Sequence, residues 1–105
     1  MDVIERIKSE IQNNKIVVFM KGTPDSPQCG FSAATVGIFK NFPYPFKGVD
    51  ILANPDIRQA LPQYSNWPTF PQVFINGKLV GRCDILHELR DSGELDNLLK
   101  EAFQK

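Results

Sequence analysis

The chain has 105 residues, and its twelve Lys and Arg balance twelve Asp and Glu, so the formal net charge at pH 7 is zero. This length predicts one domain over residues 1–105, and the absence of a net positive charge or a long basic run argues against nucleic-acid binding. Because the sequence also has no signal peptide and no run of about 18 apolar residues, we expect a soluble protein without a membrane span, in the cytoplasm or, if a presequence has been removed, in an organelle matrix or stroma.

The first residues predict a helix followed by a buried strand. Asp2 followed by Glu5 is typical of a capping box, and the helix is expected to end at Asn13 and Asn14. Its apolar residues fall on one helical stripe: Val3, Ile4, Ile7 and Ile11. Residues 15–21, KIVVFMK, form a short apolar run that is typical of a strand buried on both faces.

A second helix and a second strand are predicted after a loop rich in Gly, Pro and Asp. The helix has residues at helical spacing on its predicted inner face: Phe31, Thr35, Ile38, Phe39 and Phe42. This spacing places Cys29 and Gly30 in the first turn, so the cysteine lies at a helix N-terminus. Residues 45–51, PFKGVDI, predict the second strand, and the strand–helix–strand order predicts parallel pairing through a right-handed crossover.

A third helix is predicted to begin at Asn54 and Pro55, which have the residue types of an N-cap and a first-turn proline. Its predicted inner face comprises Ile57, Ala60, Leu61 and Tyr64. Pro62 is expected to shorten or kink the helix, because proline lacks an N–H donor.

The remaining residues predict a hairpin and two more helices. Asn76 and Gly77 stand between two short apolar runs and form a strong two-residue hairpin signal. Asp84 is expected to cap a fourth helix that stops near Gly93. A fifth helix carries Leu95, Leu98, Leu99, Ala102 and Phe103. The predicted architecture is therefore α/β, a small mixed sheet of a parallel βαβ unit and an antiparallel hairpin with helices on both faces.

Cys29 is the candidate reactive residue. Two cysteines are too few for a secreted disulfide scaffold, and in a reducing compartment a lone thiol is more often reactive than structural. The N–H groups at a helix start lower the pKa of a thiol, and Lys21 would add positive charge beside Cys29. The alternative is that Cys29 is a small buried core residue.

Ser32 stands where a Cys-x-x-Cys motif would have its second thiol. A second thiol resolves the mixed disulfide that the first one forms, and a serine lacks the sulfur to do so. Its hydroxyl either hydrogen-bonds near the helix start and helps to hold the thiolate, or it belongs to an ordinary surface serine. Cys83 is the other thiol that would resolve the mixed disulfide, but it lies far away in the chain.

Three stretches together resemble the monothiol glutaredoxins of the CGFS class: MKGTPDSPQCGFS at residues 20–32, NPDIRQALPQYSNWPTFPQVFINGKLVG at residues 54–81, and Cys83 with Asp84. The similarity extends over essentially the whole chain. It implies the thioredoxin fold, a four-stranded mixed sheet of a parallel βαβ unit and an antiparallel hairpin, flanked by about five helices.

The resemblance also implies a glutathione site. The implied residues are Lys21, Arg58, Gln63, Thr69, Phe70, Pro71, Cys83 and Asp84, with Trp67 beside them. Lys21 and Arg58 would hold the glycine carboxylate, and the backbone of Phe70 before a cis-proline would pair with the extended tripeptide. The start of the fourth helix would bind the γ-glutamyl carboxylate, and Asp84 would meet its ammonium group.

Several of these residues have a plainer interpretation. Arg58 would be an ordinary solvated helix residue, Asp84 a plain helix cap, and Trp67 part of the core. Arg82 departs from the family pattern, which usually has a second glycine before Cys83 and Asp84. An arginine needs more room and adopts positive φ at a higher cost, so the approach of glutathione to this turn is expected to differ.

Two functions share these residues. A 2Fe-2S cluster needs four ligands, and Cys29 from each of two chains with two glutathione thiols makes four. The resemblance thus implies an iron-sulfur assembly or transfer protein, homodimeric with its cluster, that exchanges one protomer for a BolA-type partner and serves iron-sulfur client proteins. The alternative is a glutathione-dependent thiol-disulfide oxidoreductase, at most a weak enzyme, that removes glutathione from proteins by a monothiol route.

A third hypothesis is a mononuclear metal site formed by Cys29, Cys83 and the only histidine, His87. Their spacing fits no structural zinc pattern, and His87 stands at a helical position typical of the surface.

Overall fold

A four-stranded sheet lies between two layers of helices in the computed structural model, which describes residues 2–81 and 83–104. The described residues form the helices α1 (Val3–Asn13), α2 (Gly30–Lys40), α3 (Pro55–Ser65), α4 (Cys83–Ser92) and α5 (Glu94–Ala102). They form the strands β1 (Ile16–Met20), β2 (Gly22–Thr23), β3 (Ser26–Pro27), β4 (Lys47–Asp50), β5 (Gln72–Ile75) and β6 (Lys78–Gly81). No helix in these ranges is long and apolar enough to cross a membrane.

The sheet has the strand order β4-β1-β5-β6. β1 pairs in parallel with β4 and antiparallel with β5, and β5 pairs antiparallel with β6. Asn76 and Gly77 connect the last two strands with φ values of 53° and 83°, as a two-residue type I′ turn requires. The predicted thioredoxin-type α/β fold, with its βαβ unit and hairpin, is therefore confirmed.

β1 is buried along its whole length because both faces of the sheet are covered. Its alternating side chains enter two separate clusters, with Val18 in one and Phe19 in the other. The first cluster contains residues of α2, α4 and α5, and the second contains residues of α1 and α3. The central strand thus packs against both helix layers. Its carboxyl end leads directly to the loop before Cys29.

The loop between β1 and α2 has more structure than the sequence analysis predicted. Its residues form a second small sheet, in which β2 pairs antiparallel with β3. Two-residue strands have no hydrophobic alternation, so the composition of the loop did not reveal them. This pairing fixes the course of the backbone between Lys21 and Cys29.

Two residues that were assigned to inner helix faces are exposed instead. Phe31 is 68% exposed and Tyr64 is 40% exposed. Phe31 shares the first turn of α2 with Ser32, but Ser32 lies on the buried face of the helix, with Thr35, Val36 and Phe39, whereas Phe31 lies outside that face. In α3 the buried positions are Ile57 and Leu61, one turn apart, and Tyr64 lies in the last turn.

The expectation that Asp84 caps the fourth helix from before its first residue was wrong, whereas the effect of Pro62 on α3 stays a prediction. α3 continues past Pro62 to Ser65, and it closes on the Pro62 carbonyl, which accepts from the Trp67 N–H at 3.2 Å. Proline removes one N–H donor, and this helix tolerates that loss three residues before its end. Asp84 lies inside the first turn of α4 rather than before it, and its carboxylate accepts from the Ile85 N–H at 3.0 Å.

We predict opposite stability changes for two Gly→Ala substitutions. A Cβ at Gly48 would lie 2.5 Å from Pro24 Cγ, so Gly48→Ala must displace the loop before α2 and is expected to cost about 1–3 kcal/mol. A Cβ at Gly37, on the exposed side of α2, meets nothing within 4 Å, so Gly37→Ala is expected to stabilise by up to about 1 kcal/mol. Urea unfolding of both variants measures the difference, and equal effects would contradict this packing.

Candidate functional site

Cys29 is the N-cap residue of α2 and is partly exposed. The backbone N–H of Ser32 is the largest influence that lowers the pKa of the Cys29 thiol; partial burial opposes it, and the Phe31 N–H, the charge of Lys21 and the Ser32 hydroxyl lower the pKa further. The side chain makes no capping hydrogen bond, as expected of a neutral thiol, which is a weak acceptor. The thiolate is the form that the helix start favours. The alternative that Cys29 is an inert core residue is therefore excluded.

Ser32 is fully buried, so it is not a surface serine. Its Oγ accepts a hydrogen bond of 3.1 Å from the backbone N–H of Lys21, the residue that follows β1. This bond joins the first turn of α2 to the end of the central strand. Of the two readings of Ser32 that the sequence left open, the structure thus supports the one in which its hydroxyl acts at the helix start.

The loop between Lys21 and Cys29 is fixed by further backbone contacts. The Lys21 carbonyl accepts from the Gln28 N–H at 2.8 Å, and the Gly22 N–H donates to Asp50 Oδ1 at 3.0 Å. Gly22 has a φ of 91°, and a Cβ there would lie 2.5 Å from the Ser26 carbonyl oxygen. Only glycine fits this close approach, and the result is a rigid path that holds Lys21 near the thiol.

The segment before β5 forms a second wall of the site. The peptide bond between Phe70 and Pro71 is cis, as the resemblance had implied. Within the described residues, no hydrogen bond to the backbone of Phe70 occurs. An extended peptide with free N–H and C=O groups can therefore pair with this residue as an added strand.

The start of α4 forms the third wall. Cys83 is buried and Asp84 is exposed at the first two positions of the helix. Gly81 precedes them with a φ of 131°, and a Cβ there would lie 3.1 Å from the Ile85 side chain. The expectations about Arg82 concern a residue outside the described ranges.

These walls enclose an open cavity of about 850 Å³. It is lined by Lys21, Cys29, Phe31, Arg58, Pro62, Pro68, Thr69, Phe70, Pro71, Cys83 and Asp84. The structure thus brings Cys29 and seven of the eight residues of the implied glutathione site to one place. Gln63 is exposed on α3 and is not among the lining residues, and neither is Trp67.

Three lining residues were not predicted from the sequence: Phe31, Pro62 and Pro68. The helical spacing predicts Phe31 on the inner face of α2 and Pro62 as a break in α3, and no prediction concerns Pro68. Their neighbours Cys29 and Thr69 were the available signal, because residues next to a site on a tight turn commonly share its wall.

The described residues contain no group of three or more His, Cys, Asp and Glu side chains placed to hold a metal ion. The mononuclear site proposed for Cys29, Cys83 and His87 is therefore contradicted. Although Cys29 and Cys83 line the same cavity, His87 does not.

We predict that Ser32→Ala raises the pKa of the Cys29 thiol without returning it to its ordinary value. The substitution removes the smaller contribution of the hydroxyl, whereas the backbone N–H groups of Ser32 and Phe31 remain. The pH dependence of the iodoacetamide reaction measures this: the variant should alkylate more slowly near neutral pH, with its midpoint at higher pH. Ser92→Ala, a serine substitution on α4, should leave the profile unchanged. Superimposable profiles for Ser32→Ala and the unchanged protein would contradict the assignment.

Comparison with known proteins agrees with this geometry. Residues 16–80 match the sequence model of the Glutaredoxin family. The chain is 50% identical over 105 residues to Glutaredoxin 4 of Haemophilus ducreyi, which covers 100% of this chain and 98% of the relative.

Two solved structures support the same assignment. The solution structure of reduced poplar apo GrxS14 superposes with a TM-score of 0.84 at 46% identity, covering 95% of this chain and 92% of that one. The crystal structure of a buckwheat glutaredoxin–glutathione complex superposes with a TM-score of 0.84 at 26% identity, covering 95% and 89%. With its family match, its relatives and its thiol at the start of α2, this chain belongs to the glutaredoxin family.

Proposed function

We propose that this chain is a monothiol glutaredoxin of the CGFS class, which binds glutathione in the cavity and carries a 2Fe-2S cluster between two copies of itself for delivery to iron-sulfur proteins. One observation carries the proposal. The position three residues after Cys29 holds a buried serine whose hydroxyl is bonded to the end of β1, so the helix start offers one thiol only. A BolA-type protein would replace one copy, and the setting would be a reducing one, the cytoplasm or an organelle matrix or stroma.

The charges and the unpaired backbone groups of the cavity suit glutathione. Lys21 and Arg58 supply two cations for the glycine carboxylate of the tripeptide. The backbone of Phe70 has no partner among the described residues and would pair with the extended ligand. The first N–H groups of α4 and the Asp84 carboxylate would receive the γ-glutamyl end. The glutathione complex of the buckwheat relative, which shares this fold, is consistent with that ligand.

The thiols suit a cluster that is held between chains. Iron-sulfur clusters are held mainly by thiolates, and a 2Fe-2S cluster takes four ligands. Cys29 has the lowered pKa that a thiolate ligand needs, and no metal-binding group of three or more side chains exists within the described residues. The remaining ligands would therefore come from outside the chain: Cys29 of a second copy and two glutathione thiols. The cluster is then the cargo of the protein.

The lowered pKa of Cys29 also favours a second candidate function, the removal of glutathione from protein mixed disulfides. The Cys29 thiolate would attack the glutathione sulfur, forming a new disulfide and releasing the protein thiolate, which takes up a proton. A second glutathione thiolate would then attack this disulfide, releasing oxidised glutathione and regenerating Cys29 as the thiolate. Both steps conserve electrons and need no other oxidant or reductant.

We predict that anaerobic incubation with iron, sulfide and glutathione gives a coloured dimer, seen by visible absorption and size-exclusion chromatography. Omission of glutathione should prevent both the colour and the dimer. Cys29→Ser should do the same, because it removes the only thiol that each chain offers at the helix start. His87→Ala, outside the cavity lining, serves as the control and should retain the cluster.

The outcomes separate the two candidates. If no glutathione-dependent colour or dimer forms while mixed disulfides are reduced quickly, the carrier proposal fails and the oxidoreductase stands. A cluster retained by Cys29→Ser would refute the ligand assignment.

We also predict that Arg58→Gln weakens glutathione binding roughly three- to tenfold, a loss of about 1 kcal/mol, because Arg58 is exposed and its charge is screened by solvent. The loss should diminish as salt concentration rises. Calorimetric titration of the metal-free protein measures it. Arg90→Gln is the matched control, since Arg90 pairs with Asp91 on α4 outside the cavity lining. Equal affinity for both variants would contradict the role of Arg58.

A further inference from the structure

Gln72 is a fully buried polar residue in an otherwise apolar strand. It begins β5, where it lies opposite Phe19 of β1 in the antiparallel register, and the other three residues of the strand are buried and hydrophobic. Burial of an amide side chain costs free energy unless its polar atoms are paired. A buried amide at this position is therefore expected to have hydrogen-bond partners.

The partners of Gln72 are backbone carbonyls of the segment before β5. Its Nε2 donates to the Trp67 carbonyl at 2.8 Å and to the Thr69 carbonyl at 3.2 Å. Its Oε1 is buried without a hydrogen-bond partner among the described residues. The NH₂ group of the amide has two N–H donors, one for each carbonyl, so the two bonds fix the orientation of the Gln72 side chain.

The two bonds turn the carbonyls of Trp67 and Thr69 toward the interior. Thr69 and Phe70, on the same segment, line the cavity, and the backbone of Phe70 is left without a partner in the described chain. The buried amide thus holds the segment from its inner side while the outer side stays open. A segment held in this way loses less conformational entropy when a ligand pairs with it.

We propose that Gln72 is a positioning residue for the glutathione site, a buried amide clamp that preorganises residues 67–70 for pairing with the ligand. The inference rests on the proposed function, because it assigns a further residue to the same cavity. Gln72 itself does not line the cavity and acts through the Phe70 backbone.

The test is a titration of the metal-free full chain with glutathione, monitored by calorimetry and by ¹⁵N NMR. Gln72→Met keeps the length of the side chain but removes both donors, and it should weaken binding by at least roughly tenfold. Ile75→Val removes one buried methyl group from the far end of the same strand and serves as the stability control, with affinity unchanged. The pH profile of Cys29 alkylation should stay the same in both variants, because the groups that lower its pKa lie on α2 and Lys21.

A second measurement does not depend on the variant folding. In the unchanged protein, the side-chain NH₂ protons of Gln72 should exchange with solvent far more slowly than those of Gln63, which is exposed. Rapid exchange at Gln72, unchanged affinity in Gln72→Met, or an equal loss in Ile75→Val would overturn the clamp. If the unchanged protein itself failed to bind glutathione, the proposed function would fail instead, and slow exchange at Gln72 would then identify a purely structural amide.

Discussion

One hydrogen bond, from the backbone N–H of Lys21 to the buried hydroxyl of Ser32, connects the helix turn that begins at the reactive thiol to the central strand. The bond fastens the first turn of α2 to the end of β1, the strand on which both core clusters are built. It therefore connects the fully buried central strand to the helix turn that begins at Cys29. The backbone N–H groups that lower the pKa of Cys29 belong to this turn. Lys21, whose charge also lowers that pKa, is the donor of the hydrogen bond.

The same bond explains how a glutaredoxin can dispense with a second thiol at this position. A cysteine there would offer a weaker acceptor to the Lys21 N–H than the serine hydroxyl does. Ser32 therefore stabilises the thiolate of Cys29. Unlike a cysteine at this position, it has no thiol to resolve a mixed disulfide of Cys29. Under the proposed function, this leaves the thiolate available to an external ligand, whether a cluster or a glutathionylated protein. The opposite wall is organised in a similar way, with a buried polar side chain fixing a segment that faces the cavity.

The sequence predicted the order and type of the main elements because hydrophobic periodicity, the Asn76-Gly77 turn and the buried run of β1 are local signals. The sequence did not predict the burial of residues whose environment is set by contacts between elements. The exposure of Phe31 depends on which face of the first turn of α2 packs against the sheet, and the burial of Ser32 accompanies its bond to the backbone that follows β1. The grouping of Arg58, Thr69 and Cys83 around one cavity was implied by family resemblance alone, since these residues are far apart in the chain and no local pattern connects them. The role of Gln72 could not be predicted, because no sequence pattern shows which groups a single polar residue in a strand will bond to.

Under the proposed function, the cluster is held jointly by two chains and two glutathione molecules, with Cys29 as the thiol that each chain contributes. Native mass spectrometry of the anaerobically reconstituted protein tests this most directly, because it weighs the intact assembly. We expect a species with the mass of two chains, two glutathione molecules, two irons and two sulfides. A cluster-bearing single chain, or a cluster-bearing dimer without glutathione, would contradict it.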